Sequence, residues 1–124
     1  MSYQSKYFSD DELSCKCCGQ LHATDTLKKG LDRIREAIGR PLYVSCAYRC
    51  PSHNEEVGGV PNSQHTKGTA ADCLLPDGMS FGEFKWYVDT YSKADGIGYY
   101  ESDEFIHIDF RSNGTEPGEY IWEG

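Results

Sequence analysis

The stretch EFIHIDFR, residues 104–111, decides how this chain folds. Apolar and polar side chains alternate along it, which is the pattern of a β-strand with one buried face. The two isoleucines and Phe110 are expected to enter a core. Phe105, His107 and Asp109 then lie on the opposite face, where His107 and Asp109 are expected to face a cleft.

The neighbouring segments predict a sheet around this strand. GIGYY, at 96–100, precedes it across a turn-like ESDE, which favours a hairpin. TAADCLL, at 69–75, and LYVSCAYR, at 42–49, are also typical of strands. The tail SNGTEPGEYIWEG, at 112–124, is expected to be irregular.

Two segments have the apolar spacing of helices. In TDTLKKGLDRIREAIGRP, residues 24–41, every third or fourth position is apolar, with Thr24 or Asp25 as the cap and Gly39 before the stop. Residues 80–92 begin with a capping box. Helices and strands are segregated rather than strictly alternating. This order predicts an α+β fold, with an antiparallel sheet flanked by helices in a single domain, residues 1–124.

The charge excludes some classes of partner. The chain carries a net charge of −8 and shows no basic stripe. Nucleic acid and anionic membrane surfaces are therefore not expected as primary partners. The N-terminal residues lack the apolar core of a signal peptide, and no apolar run is long enough to span a bilayer. We therefore expect synthesis in a cytoplasm and action elsewhere only after release.

The six cysteines leave three interpretations open. CKCCG, residues 15–19, lacks the paired C-x-x-C spacing of a convincing zinc site. A second metal with a fourth ligand such as Cys50 or His22, a disulfide formed after release, and reduced thiols all remain. Without an export signal, reduced thiols are favoured. The candidates for a second metal or a disulfide are Cys15, Cys17, Cys18 and Cys50.

The segment NSQHTKGTAADC, residues 62–73, carries half of a candidate metal site. His65 and Asp72 are seven positions apart, roughly 23 Å in an extended chain. They share one ion only if the chain folds back, which Gly68 permits. A catalytic zinc needs a third protein ligand and an open position, and His107 is the best remaining candidate.

Two further residues have the chemistry that such a site requires. Glu104 lies three residues before His107, where its carboxylate is placed to take a proton from water and pass it to a leaving amine. Arg49 follows a strand and is suited to bind a substrate carboxylate or an oxyanion. The competing interpretations are a solvated charge for Glu104 and a surface ion pair for Arg49.

These residues carry a resemblance to a known family. Residues 46–73 with FIHIDFR, at 105–111, resemble the D-Ala-D-Ala carboxypeptidase family of zinc peptidases, whose fold is shared by VanX dipeptidases, several phage endolysins and the hedgehog signalling domain. Its H-x-D strand is matched by His107 and Asp109. Cys46 stands where the S-x-Y-R element has Ser. The S-x-H-x-x-G-x-A-x-D motif is matched by Ser63, His65, Gly68, Ala70 and Asp72.

The resemblance implies one catalytic Zn²⁺ and an acidic general base. By position this base is Glu104, with Asp103 and Glu101 as alternatives. Ser63 and Asp109 are expected to support the ligands rather than bind the ion. The ligands that the resemblance implies are His65, Asp72 and His107.

The implied function is hydrolysis of peptidoglycan stem peptides by a zinc metallopeptidase. The resemblance allows either a D-Ala-D-Ala carboxypeptidase or an endolysin-type endopeptidase. The expected partner is a stem peptide, the expected state a monomer, and the expected setting the cell wall after phage or prophage release. One alternative is a non-catalytic zinc-containing binding or structural module on the same fold, and another is a thiol-rich protein that works through CKCCG.

Overall fold

A mixed sheet with helices packed on one face forms the fold. The computed structural model describes residues 4–9, 13–14, 23–47, 69–111 and 120–123. Within these ranges the helices are α1 (Asp25–Ile38) and α2 (Phe81–Tyr91). The strands are β1 (Val44–Cys46), β2 (Ala70–Leu74), β3 (Gly96–Tyr100), β4 (Phe105–Asp109) and β5 (Tyr120–Glu123), with a 3-10 turn at Glu101–Asp103.

The strand order is β1-β2-β4-β3-β5. The pairs β1–β2, β2–β4 and β3–β4 are antiparallel, as expected, and the β3–β4 hairpin is confirmed. The pair β3–β5 is parallel, so the sheet is mixed. The expectation of a wholly irregular tail was therefore wrong for residues 120–123. This short strand obtains its partner from β3, more than twenty residues earlier, and a local pattern does not reveal such a pairing.

Helix α1 confirms its predicted ends. The Thr24 hydroxyl accepts a hydrogen bond from the Leu27 backbone N–H at 3.3 Å, and Gly39 ends the helix in the left-handed conformation. The predicted apolar stripe is buried, and consists of Leu27, Leu31, Ile34 and Ile38. This stripe packs into the core.

Helix α2 covers the same face of the sheet. The Ser80 hydroxyl caps it by accepting from the Glu83 backbone N–H at 3.2 Å, and Phe84 and Val88 are fully buried. The two helices also pack against each other. The sheet residues in this core are Ala71, Cys73, Ile97, Tyr99, Ile106 and Ile108. Side chains that alternate with these therefore lie on the face opposite the helices.

No helix in the described ranges is long and apolar enough to cross a membrane.

Candidate metal centre

One cross-strand row organises the face opposite the helices. The backbone register pairs Asp72 with His107, His107 with Gly98, and Gly98 with Trp122. We call these four residues the His107 row. They come from β2, β4, β3 and β5, so the row crosses four of the five strands. The pairing brings Asp72 and His107, which are 35 positions apart, into direct contact.

Asp72 and His107 form the polar centre of this row. The His107 Nδ1 atom lies 3.0 Å from the Asp72 Oδ1 atom, and the two side chains are 12% and 19% exposed. Asp72 sits between the buried residues Ala71 and Cys73 in β2. A carboxylate so placed needs a partner, and the His107 imidazole is one.

Asp109 holds the other side of the imidazole. Its Oδ2 atom lies 2.9 Å from His107 Nε2, and Arg111 donates two hydrogen bonds to the same carboxylate, at 2.8 and 2.7 Å. Burial raises the pKa of Asp109, but the hydrogen bonds from Arg111 and His107 outweigh it and lower that pKa to about 2. Asp109 is therefore a carboxylate at neutral pH that accepts a hydrogen bond from His107.

Asp109 departs from one expectation. It shares a face with His107, as predicted, but its side chain is completely buried and does not face a cleft. Gly96 leaves the space for it, since a Cβ atom there would lie 2.5 Å from Asp109 Oδ2. This buried position suits a residue that orients His107.

The two contacts of His107 decide what this centre can bind. A neutral imidazole donates through one nitrogen atom only. If Nε2–H donates to Asp109, the Nδ1 lone pair faces the Asp72 carboxylate, and a proton or a cation must lie between them. The 3.0 Å separation is close to the roughly 3.3 Å between two ligand atoms of one tetrahedral zinc ion. The donor set therefore fits a zinc ion bound by Nδ1 and Oδ1.

The third predicted ligand, His65, lies outside the described residues. Across the described ranges, no group of three His, Cys, Asp or Glu side chains is placed to hold a metal ion. The Thr69 carbonyl accepts from the Phe110 backbone N–H at 2.9 Å, so β2 starts beside the end of β4. The Cys46 backbone pairs with Asp72, which places the end of β1 next to the row. Also outside the described residues are Arg49, Ser63, Cys15, Cys17, Cys18 and Cys50.

The three candidate bases lie in the turn between β3 and β4, and all three are exposed. Glu104 adjoins β4, and its carbonyl accepts from the Leu75 backbone N–H at 2.8 Å. Glu101 lines a cavity with Lys85 and Tyr99. Because Tyr99 belongs to the core face, this cavity lies on the helix side, away from His107. Glu101 therefore lies away from the candidate centre, and the assignment of Glu104 as the base stays a prediction.

An aromatic group that was not predicted from the sequence lies beside His107. The Trp122 ring lies 5.3 Å from the His107 ring, and Trp122 Nε1 donates to the Tyr100 hydroxyl at 2.9 Å. Tyr100 stacks on Phe105 with centroids 4.6 Å apart. Tyr99, the residue before Tyr100, packs in the core on the other face of the sheet. A glycine inside a strand often marks a place where another part of the molecule comes close to the backbone. Gly98 is therefore the sequence feature from which this contact could have been predicted.

Comparison with known families agrees with this geometry. A family model described as Peptidase M15 matches residues 6–109, a range that includes Asp72, His107 and Asp109. The comparison with curated proteins found no match. Because the matched range spans well over half of the sequence, the chain belongs to the Peptidase M15 family and is a metallopeptidase of the D-Ala-D-Ala carboxypeptidase type.

Proposed function

We propose that this chain is a zinc-dependent peptidase that hydrolyses a bond in peptidoglycan stem peptides. The observation that carries the proposal is the His107 imidazole held between Asp72 and Asp109. The Peptidase M15 match supports the peptidase class, since the members of this family are generally zinc-dependent. Terminal D-Ala-D-Ala cleavage and cleavage of an internal bond such as L-Ala-D-Glu both fit this chemistry.

The residues that would hold zinc are Asp72 and His107, together with His65 from the matched motif. Bound zinc supplies a Lewis acid that polarises the scissile carbonyl and makes a water molecule more acidic. Nitrogen and oxygen donors of this kind are the ligands that zinc takes in catalytic sites. Three ligands leave a position open, as catalysis requires.

The side chains around the ligands perform the proton transfers and the orientation. Asp109 keeps the His107 proton on Nε2, so that the Nδ1 lone pair, which faces Asp72, would bind the metal. Glu104 takes the proton of the attacking water and passes it to the leaving amine. Arg49 binds the substrate carboxylate through paired hydrogen bonds.

We also propose where the enzyme acts. Hydrolysis of stem peptides fits the lysis step of a phage or prophage, in which the enzyme would reach the wall after release and act as a monomer. The net charge of −8 does not favour attraction to an anionic cell wall. Substrate binding is therefore expected to depend on contacts with the stem peptide.

A Glu104→Gln variant tests the catalytic assignment. Zinc-loaded protein is incubated with muropeptides, and the products are identified by mass spectrometry. We expect Glu104→Gln to keep its zinc and to lose roughly 10²- to 10⁴-fold in kcat, because the amide cannot accept the proton. Glu101→Gln and Asp103→Asn are the matched controls and should retain activity.

Two outcomes would contradict the proposal at different levels. Full activity in Glu104→Gln would show that another residue is the base. No cleavage of any stem-peptide bond by the wild-type protein, with zinc bound, would overturn the enzymatic function and favour a non-catalytic zinc module.

A further inference from the structure

Strand β5 brings Trp122 into contact with the candidate metal centre. Its parallel pairing with β3 places Trp122 opposite Gly98 in the His107 row. A Cβ atom on Gly98 would lie 2.6 Å from Trp122 Cε2, so the indole lies directly over the Gly98 backbone. Only this close approach allows the indole to reach His107, whose ring is 5.3 Å away at an angle of 47°.

The indole is itself held in place on two sides. Trp122 Nε1 donates to the Tyr100 hydroxyl at 2.9 Å, and the Arg111 guanidinium lies 5.7 Å from the ring centroid. The same guanidinium binds Asp109 through two hydrogen bonds. Trp122 therefore contacts both His107 and the arginine that holds the partner of His107.

We propose that Trp122 is a positioning residue for His107 and that β5 thereby completes the metal centre. The inference deepens the proposed function and rests on its assignment of His107 as a ligand. The Peptidase M15 match ends at residue 109, so Arg111 and Trp122 both lie beyond the matched range.

The physical need for a restraint on the face of the ring follows from the histidine torsions. The χ2 angle of histidine is broad, and the contacts at Nδ1 and Nε2 both act at the edge of the ring. The indole closes one side of a ring that is only 12% exposed. With both restraints, Nδ1 stays directed at Asp72. Without the indole, the ring samples other orientations and binds metal less tightly.

Cobalt(II) binding measures this contact directly, because the chain has only two tryptophans. Trp86→Phe removes the other one, which is 56% exposed on α2, and leaves Trp122 as the sole indole emitter. Bound Co²⁺ absorbs visible light and quenches an indole close to it. We expect strong quenching in Trp86→Phe and little in Trp122→Phe. Co²⁺ binding seen by visible absorption without quenching of Trp122 would overturn the inference.

Metal affinity then tests the positioning role. In competition with a chelator, Trp122→Ala should bind Zn²⁺ at least ~10-fold more weakly, the size of effect typical when a residue that supports a metal ligand is lost. Trp122→Phe retains a flat ring and should recover most of the affinity. Gly98→Ala keeps the indole but places a methyl group in the space that the indole occupies. Its Zn²⁺ affinity should therefore fall as in Trp122→Ala. Trp86→Ala is the matched control and should bind as the wild type does.

Wild-type affinity in both Trp122→Ala and Gly98→Ala would contradict the inference. The cobalt measurement in Trp86→Phe leaves β5 unchanged, so its result stands even if a β5 variant fails to fold.

A metal-free measurement separates this inference from the proposed function. Two-bond ¹H–¹⁵N spectra of the metal-free protein should show a single His107 environment, with a proton on Nε2, in the wild type and in Trp122→Phe. In Trp122→Ala we expect exchange broadening or more than one His107 environment. Unchanged His107 signals would overturn the positioning role. If the wild-type protein binds no metal at all, the proposed function fails, while these spectra still decide the role of Trp122.

Discussion

At the scale of the residue, His107 is the point on which the candidate centre depends. Its two ring nitrogens face two carboxylates that differ in their surroundings. Asp109 is completely buried and bound by the Arg111 guanidinium, whereas Asp72 is 19% exposed. The buried carboxylate is suited to orient the ring, and the more exposed one to share an ion with it.

Acidification of the metal-free protein should reveal the contribution of Asp109. The hydrogen bonds from Arg111 and His107 lower its pKa from 3.8 to about 2 against the effect of burial. A lowered pKa in the folded state stabilises the protein above pH 4, and this stability is lost as the pH falls towards 2. The contribution is about 2 kcal/mol. Urea unfolding between pH 2 and pH 7, with a chelator present, measures it.

The Asp109→Asn variant provides the comparison. The gap in free energy of unfolding between wild type and variant should narrow as the pH falls from 4 to 2. Asp77→Asn, at an exposed turn position, is the matched control and should follow the wild type. A gap that stays constant over this pH range would contradict the assignment.

At the scale of the element, the close fit between α1 and the sheet is set by a small residue. Gly30 is buried in α1, and a Cβ atom there would lie 2.3 Å from Phe110 Cζ. Phe110 is itself 2% exposed, so its ring has little room to move. The helix can lie this close to Phe110, the residue that follows β4, only without a side chain at position 30.

Gly30→Ala should therefore destabilise the protein, although alanine is the better helix former. Helix propensity alone would add up to about 1 kcal/mol. Overpacking against Phe110 should cost ~1–3 kcal/mol and exceed that gain. Chemical denaturation measures the net change in the free energy of unfolding.

Gly82→Ala in α2 is the matched control, since a Cβ atom there meets nothing within 4 Å. This variant should be neutral or more stable. The double variant Gly30→Ala with Phe110→Leu should recover part of the loss. A stabilising effect of Gly30→Ala alone would show that the ring can move aside.

At the scale of the whole molecule, the sheet separates the apolar core from the candidate metal centre. Both helices and the apolar core lie on one face, and the His107 row lies on the other. The row joins β2, β4, β3 and β5, so an ion bound by Asp72 and His107 would link strands that are distant in sequence. Metal binding should therefore stabilise the whole sheet.

Removal of metal should lower the melting temperature. Zinc at 100 times its dissociation constant stabilises a folded protein by about 2.7 kcal/mol, which corresponds to roughly 10 °C for a domain of this size. Calorimetry with zinc and then with a chelator measures the difference. Asp72→Ala should abolish the zinc-dependent shift, whereas Glu104→Gln should keep it. An equal shift in Asp72→Ala would show that zinc binds elsewhere.

The parts of the fold that were predicted from the sequence depend on short-range patterns. Helix α1 followed from its apolar period, from Thr24 at its start and from Gly39 at its end, which all act within a few residues. The β3–β4 hairpin and the shared face of His107 and Asp109 followed from the alternation of side chains. The predicted strand at 42–49 proved to be a strand over Val44–Cys46 only within the described residues.

The sequence by itself thus determined the α+β class, the helix ends, the hairpin and the pairing of Asp72 with His107 as candidate ligands. These depend on local periodicity, capping and motif spacing, which the order of residues contains. Only the tertiary structure decided that β5 joins the sheet in parallel, that Asp109 is buried under Arg111, and that Trp122 lies against His107. Each of these contacts is set by which backbone pairs with which across the sheet, and by the space that a glycine on a neighbouring strand leaves open.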